Sequence, residues 1–351
     1  MRKSIVSTVL ISLLMVSCQR DEEIMSKEPT GKISEVSTNK SVIFPSKGTA
    51  NIQYGNLGHH QVSTNAVVGD CNQLAGLVIP ILQTIGILDQ SIKCSNNFPY
   101  GFESPVSTAV YYPSDISNMN KLPVVNFVGG ILSSQGNYDQ MVRLWASYGF
   151  IVVISSNFIN SMPDMHILGA ANVAKLNKDP QSPLFGKADL SKMIIAGHSA
   201  GGGATLLTSS ISETAMKLID PDLKIVAALS IEPGPVAIGS TVKVPTFTLT
   251  GRLDFVVPAD TWPNLWQSNL IKNVPAWSAT ATTATHFSPT MDISKNEFAG
   301  ISVAWLKYMG YNDSEAKSYF VGPQYKLKED IQFIGLFTPP VKRNTKADLL
   351  Q

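Results

Sequence analysis

The stretch Met193-Ile194-Ile195-Ala196-Gly197-His198-Ser199-Ala200-Gly201-Gly202-Gly203 constrains the fold more than any other part of the chain. Four apolar residues run into glycines around a single serine, and Ala204, Leu206 and Leu207 beyond them suit a helix. This reads as strand, sharp turn, helix. A serine at the tip of so tight a turn must take strained backbone angles, and side chains at Gly197 or Gly201 would collide with the strand or the helix. The turn pushes the Ser199 hydroxyl out of the sheet. It also aims the Ala200 amide, at a helix start, toward whatever that hydroxyl attacks, so one loop offers a nucleophile and half of an oxyanion hole.

The other strand-like runs are Thr108 to Tyr112, Val124 to Val128, Ile151 to Ser155, Val226 to Ile231 and Val244 to Thr250. Most are apolar without alternation, as expected of strands covered on both faces. Segments with helical spacing, such as Asp139 to Tyr148 and Ser209 to Leu218, lie between them. The expected class is α/β, with a mostly parallel central sheet flanked by helices. With 351 residues, 44% of them hydrophobic, the chain is long enough for a sizeable core, and its net charge of +1 disfavours a nucleic-acid partner. No cofactor or metal is expected, and a monomer is the expected state. His59 and His60 lack a third ligand nearby and read as a solvated loop.

Arg2 and Lys3 precede an apolar run from Ile5 to Val16 that is too short to span a bilayer. Residues 1–17 read as a signal peptide. Its end, Met15-Val16-Ser17-Cys18, resembles a bacterial lipobox, which implies lipidation at Cys18 and a membrane anchor. Asp21, Glu22 and Glu23 resemble the surface-export signals of Bacteroidetes-type lipoproteins, implying an outer-membrane location. Residues 18–68 are polar and are expected to form a tether, partly ordered from Ser41. Residues 69–97 hold Cys71 and Cys94 around an apolar stretch, Leu74 to Leu88, broken by Pro80 and Gly86. An even pair in an exported chain favours a disulfide, which stabilises by about 3 kcal/mol in the chain-entropy model. This segment precedes the core and is expected to touch none of the catalytic loops. Residues 98–325 would form the main domain and 326–351 a C-terminal extension.

The region from Phe98 to Gly322 resembles the α/β-hydrolases grouped with bacterial cutinases and polyethylene terephthalate hydrolases, related to dienelactone hydrolase and chlorophyllase types. The resemblance rests on Ala109 to Pro113, Leu144 to Phe150, Gly197 to Gly203, Gly251 to Pro258, His286 to Pro289 and Val303 to Tyr308. It implies an α/β-hydrolase fold and ester hydrolysis through an acyl-enzyme. The order of nucleophile, acid and base in that fold leaves His286 as the base, because it is the sole histidine after Ser199. Asp254, after the strand ending near Thr250, is the expected acid, and Glu232, after the preceding strand, is its rival. Gly129-Gly130-Ile131 follows a strand and occupies the place of the second oxyanion donor, with Ile131 as first choice and Gly130 next. Gly130, His198, Glu232 and Phe287 are candidate substrate-lining residues.

The chain departs from the family where an aromatic clamp is usual: those places read Ile131 and Glu232-Pro233-Gly234-Pro235. Trp262, Trp266 and Trp277 are available as substitutes. About a dozen residues separate Ile231 from Val244, where caps usually sit, so no large cap domain is expected. An open cleft suits bulky or polymeric esters. Acyl decorations of polysaccharides, or lipids, are the alternative substrates, and a non-catalytic surface-binding lipoprotein on the same fold is the alternative of another class.

Overall fold

A computed structural model describes residues 47–71, 78–86, 88–95 and 106–350. The signal-peptide and lipobox readings, including Cys18, fall outside these residues. In chain order the elements are helix α1 (Thr49–Tyr54), strands β1 (Val62–Thr64) and β2 (Val68–Gly69), helix α2 (Val78–Thr84), and strands β3 (Cys94–Ser95), β4 (Ser107–Pro113) and β5 (Leu122–Val128). Helix α3 (Asp139–Ser147), strand β6 (Ile151–Ser156), helix α4 (Asp164–Lys178) and strand β7 (Ala188–His198) follow. The remainder comprises α5 (Ala200–Thr208), β8 (Ile225–Ile231), β9 (Thr246–Gly251), β10 (Ala276–Ala281), α6 (Ala299–Tyr311) and β11 (Lys342–Arg343), with shorter helical turns between.

Among the described residues, nine strands form one sheet in the order β1-β4-β6-β5-β7-β8-β9-β10-β11. The run from β6 to β10 is parallel, and β1, β4 and β11 pair antiparallel at the edges. Alternate residues of the central strands enter opposite cores. Val124, Ile151 and Val153 join Val173 of α4 on one face, while Val125, Phe127, Val152 and Ile154 join Trp145 of α3 and Trp305 of α6 on the other. That is why these strands read as unbroken apolar runs: both faces are dry. Trp305 is fully buried, and truncating so large a core side chain costs about 3–5 kcal/mol.

Several boundaries differ from expectation. Residues 48–68 are not simply a tether: α1 buries Ala50 and Tyr54, and β1 extends the sheet along β4. The C-terminal segment is equally part of the fold. Buried Asp330 accepts from Thr49 Oγ1 at 3.0 Å and from the Ala50 N–H at 2.9 Å, tying the two ends of the domain together. Of the expected helix Ser209 to Leu218, a single turn forms at Glu213–Met216. Strand β10 was not legible, because Ala-Trp-Ser-Ala-Thr-Ala lacks a β-branched apolar run; pairing with β9 and burial between helices supply what local propensity does not.

Candidate active site

The site gathers at the carboxyl ends of the parallel strands, where an α/β sheet leaves its loops free. At the end of β7, Ser199 adopts φ 56° and ψ −120° and leads directly into α5. The glycines around it are required by space. A Cβ on Gly197 would lie 2.2 Å from the Gly201 carbonyl oxygen, and one on Gly201 would lie 2.1 Å from that of Val128.

Strand β10 sends His286 over the sheet edge, and its Nε2 lies 2.9 Å from Ser199 Oγ. Strand β9 ends at Gly251, and Asp254 just beyond it places Oδ2 2.8 Å from His286 Nδ1. The other carboxylate oxygen, Oδ1, accepts from the N–H groups of Val256 at 2.8 Å and Val257 at 2.7 Å, which fix its orientation. Ser199, His286 and Asp254 are thus successive partners in hydrogen bonding, with His286 able to accept from the serine while donating to the aspartate. All three are buried, yet Ser199 and His286 form part of the floor of a cleft of about 300 Å³.

Ala200 heads α5, so its N–H has no carbonyl one turn back to receive it. Ile131 lies on the cleft wall, and among the described residues its N–H has no backbone or side-chain acceptor. Gly130 differs: its N–H donates to the Tyr138 hydroxyl at 2.8 Å, so this alternative oxyanion donor is already engaged. Gly130, His198 and Phe287 line the cleft. Glu232 does not. It is fully buried, and its left-handed backbone (φ 45°) turns it behind His198, with Oε2 3.1 Å from His198 Nε2.

Tyr138 was not singled out from sequence, since Gln-Gly-Asn-Tyr after a double glycine carries no motif. Its hydroxyl also lies 2.8 Å from His198 Nδ1, which creates a chain from the Gly130 amide through Tyr138 and His198 to Glu232. Burial, with a further contribution from His286, holds the His198 imidazole well below its ordinary range, so the ring is neutral. A proton on Nε2 donates to Glu232 and leaves Nδ1 to accept from Tyr138, which satisfies the chain. Burial first, and Asp254 next, push the Glu232 carboxyl well above the usual range. Among the described residues its Oε1 is buried without a hydrogen-bond partner. Nitrogen and oxygen atoms of His198, Glu232 and His286 lie within 4.8 Å of one another, but the ring nitrogens concerned are already engaged in hydrogen bonds. The cluster is a hydrogen-bond network.

Other expectations need correction. Trp277 is a core residue donating to the Phe320 carbonyl, and Trp262 donates to that of Pro233; neither these nor Trp266 lines the cleft. Cys71 and Cys94 are joined in a disulfide, as the sequence suggested. The segment they close was expected to stay clear of the catalytic loops, yet Leu82, Leu88 and Ile92 stand in the wall of the cleft beside Ser199.

Sheet order, the strained serine turn and the serine-histidine-aspartate line together define an α/β-hydrolase. A model of the PET hydrolase-like family matches residues 91–335, and the chain belongs to this family. Cutinase 2 of Thermobifida cellulosilytica is 30% identical over 229 residues, covering 64% of this chain and 81% of that one. Cutinase cut1 of Thermobifida fusca is also 30% identical over 229 residues, but the match spans just 66% of its length. Lipase 1 of Moraxella sp. (strain TA144) is 23% identical over 210 residues, 58% of this chain and 60% of that protein. The chain is a carboxylic-ester hydrolase of the cutinase-like type.

Proposed function

We propose that the protein cleaves carboxylic esters with Ser199 as nucleophile, His286 as general base and acid, and Asp254 as the residue orienting the imidazole. The observation that carries this reading is the pair of contacts at 2.9 Å and 2.8 Å linking the three side chains beneath an open cleft. His286 takes the Ser199 proton as Oγ attacks the ester carbonyl. The N–H groups of Ile131 and Ala200 hold the developing oxyanion, an interaction each worth roughly 3–4 kcal/mol in comparable sites. Collapse of the tetrahedral intermediate expels the alcohol, which receives its proton from His286 and leaves an acyl-Ser199. Water, deprotonated by the same imidazole, then frees the acid.

The natural substrates under this reading are bulky or polymeric esters with apolar acyl parts. The link from β8 to β9, residues 232–245, holds one short helical turn and no cap, and the surface of the cleft is mainly apolar, with Leu82, Leu88, Ile92, Ile131, Leu132 and Val256 in its lining. The same lining favours lipid esters over the acyl decorations of polysaccharides as the second choice. A purely binding role is disfavoured by the intact serine, histidine and aspartate. We further infer export and lipid anchoring at Cys18 on the outer membrane, supported by the leader sequence and by a disulfide that suits an oxidising compartment. No described helix is long and apolar enough to cross a membrane.

A fluorophosphonate probe tests the chemistry directly. One equivalent should attach to Ser199, located by peptide mapping, with none in the Ser199→Ala variant; labelling elsewhere, or none at all, contradicts the assignment.

A further inference from the structure

The cleft wall contains residues that belong to no hydrolase loop. Leu82 lies on α2, Leu88 and Ile92 on the chain that follows it, and the latter two are buried at 7% and 5% exposure. All three line the same cleft as Ser199 and His286. A segment placed there by chance contact would be loosely held, but this one is fixed at several points. The Cys71–Cys94 disulfide closes it. The Ser95 N–H donates to Ser134 Oγ at 3.2 Å, and Asn137 Nδ2 donates to the Lys93 carbonyl at 3.0 Å. Gly136 lets the two chains touch, since a Cβ there would lie 2.4 Å from the Cys94 carbonyl carbon. At the other end Asp89 pairs with Lys295, a few residues beyond the His286 loop. Internally, Gln83 Nε2 donates to the Asp89 carbonyl at 2.8 Å.

The anchoring turn, Ser134 to Tyr138, directly follows Gly130 and Ile131, on the side of the site where the ester carbonyl would rest. The leaving alcohol lies instead at His286 Nε2, which must protonate it. The segment is anchored at the carbonyl-side turn through Lys93 and Ser95 and beyond the His286 loop through Asp89, and its apolar side chains between these anchors are the ones open to an acyl chain. Its chemistry is three branched aliphatic side chains, and Ile131, Leu132 and Val256 add to the same apolar lining. Among the described residues the lining holds no carboxylate, lysine, arginine or indole; its rings are those of Tyr138, Phe287 and the two histidines, and none of them lies on the disulfide-closed segment. At about 300 Å³ the space is at the small end for ligand sites, which suits one extended chain.

We propose that the disulfide-closed segment supplies the acyl subsite, and that Leu82, Leu88 and Ile92 are specificity determinants selecting aliphatic over aromatic acyl groups. This rests on Ser199 being the nucleophile. Each methylene of a well-packed acyl chain buried against the wall stabilises the transition state, whereas an acetyl group is too short to reach it.

The test is the ratio of kcat/KM for p-nitrophenyl octanoate to that for the acetate, measured on the intact protein with fluorophosphonate labelling run in parallel. In Leu88→Ala, in Ile92→Ala and in the double variant Cys71→Ser/Cys94→Ser the ratio should fall about tenfold or more, the scale at which an apolar pocket discriminates by chain length. Ile92→Val, which keeps most of the packing, should shift it in the same direction by less. Ile81→Ala, on the same helix but 60% exposed and away from the cleft, should keep the wild-type ratio. The benzoate-to-octanoate ratio should rise in the truncated variants. Equal losses at all chain lengths, or an unchanged ratio in variants that still label, would overturn the acyl wall. Failure of the wild type to label at Ser199 would instead remove the reading beneath it.

Discussion

Glu232 Oε2 stands 3.8 Å from Nδ1 of His286, the same nitrogen that Asp254 meets at 2.8 Å, so two carboxyl groups face one imidazole edge at unequal distance. Asp254 has the shorter contact and two backbone donors holding its other oxygen; Glu232 is turned toward His198. Two like charges this close disfavour one another, and burial lodges that penalty on Glu232, whose carboxyl is pushed up.

The first consequence concerns turnover. Asp254→Asn should lower kcat by about 10⁴-fold near neutral pH, because an amide can hold the wrong imidazole tautomer and cannot stabilise the imidazolium. Glu232→Gln should cost less than about tenfold, since a glutamine oxygen can still accept from His198. Steady-state kinetics on p-nitrophenyl butyrate separates them; the reverse ranking would make Glu232 the acid.

Tyr138→Phe removes the acceptor of the Gly130 N–H and the donor to His198 in one step. The loop carrying Ile131 then loses an anchor while the cleft keeps its shape. We expect kcat to fall by about 10- to 100-fold with KM nearly unchanged, as for a loosened oxyanion donor. A change confined to KM would mean that the tyrosine serves binding alone.

His166 is fully buried, with Nε2 3.0 Å from the Ala196 carbonyl oxygen, and burial lowers its pKa from the ordinary 6.5 to about 4. The unfolded chain therefore takes up a proton below about pH 6.5 that the fold resists until about pH 4, so this group's contribution to stability is lost on acidification through that window. Urea unfolding of the wild type should lose about 2 kcal/mol more between pH 7 and pH 5 than that of His166→Gln. Parallel pH dependence in the two proteins would place the cost elsewhere.

Asp330→Ala should destabilise the domain by about 1–3 kcal/mol, because the Thr49 hydroxyl and Ala50 amide lose their buried acceptor. In a domain of this size that is a drop in Tm of several degrees, read by calorimetry without change in kcat. An unaltered Tm would show the two chain ends to be independent of the core.

What could be read from sequence was the part written in local sterics. Gly197, Gly201 and the apolar runs around them dictate strand, turn and helix wherever they occur, and a single downstream histidine left His286 as base. Asp254 was legible as the residue after a strand, although its advantage over Glu232 lies in the Val256 and Val257 amides, which no pattern announces. Tyr138, the burial of Glu232 behind His198 and the entry of Leu88 and Ile92 into the cleft depend on contacts between distant segments. The same holds for α1, whose polar neighbourhood suggested a tether, and for the C-terminal residues, which Asp330 ties to it.

Attack of Ser199 on the ester is read most directly from kcat/KM of Ser199→Ala on p-nitrophenyl butyrate, with circular dichroism and Tm confirming the fold. The variant loses a hydroxyl in a turn already shaped by glycines, so the structure should persist while activity falls by about 10⁴-fold or more. Turnover within tenfold of the wild type, in a protein with unchanged Tm, would rule out Ser199 as the nucleophile.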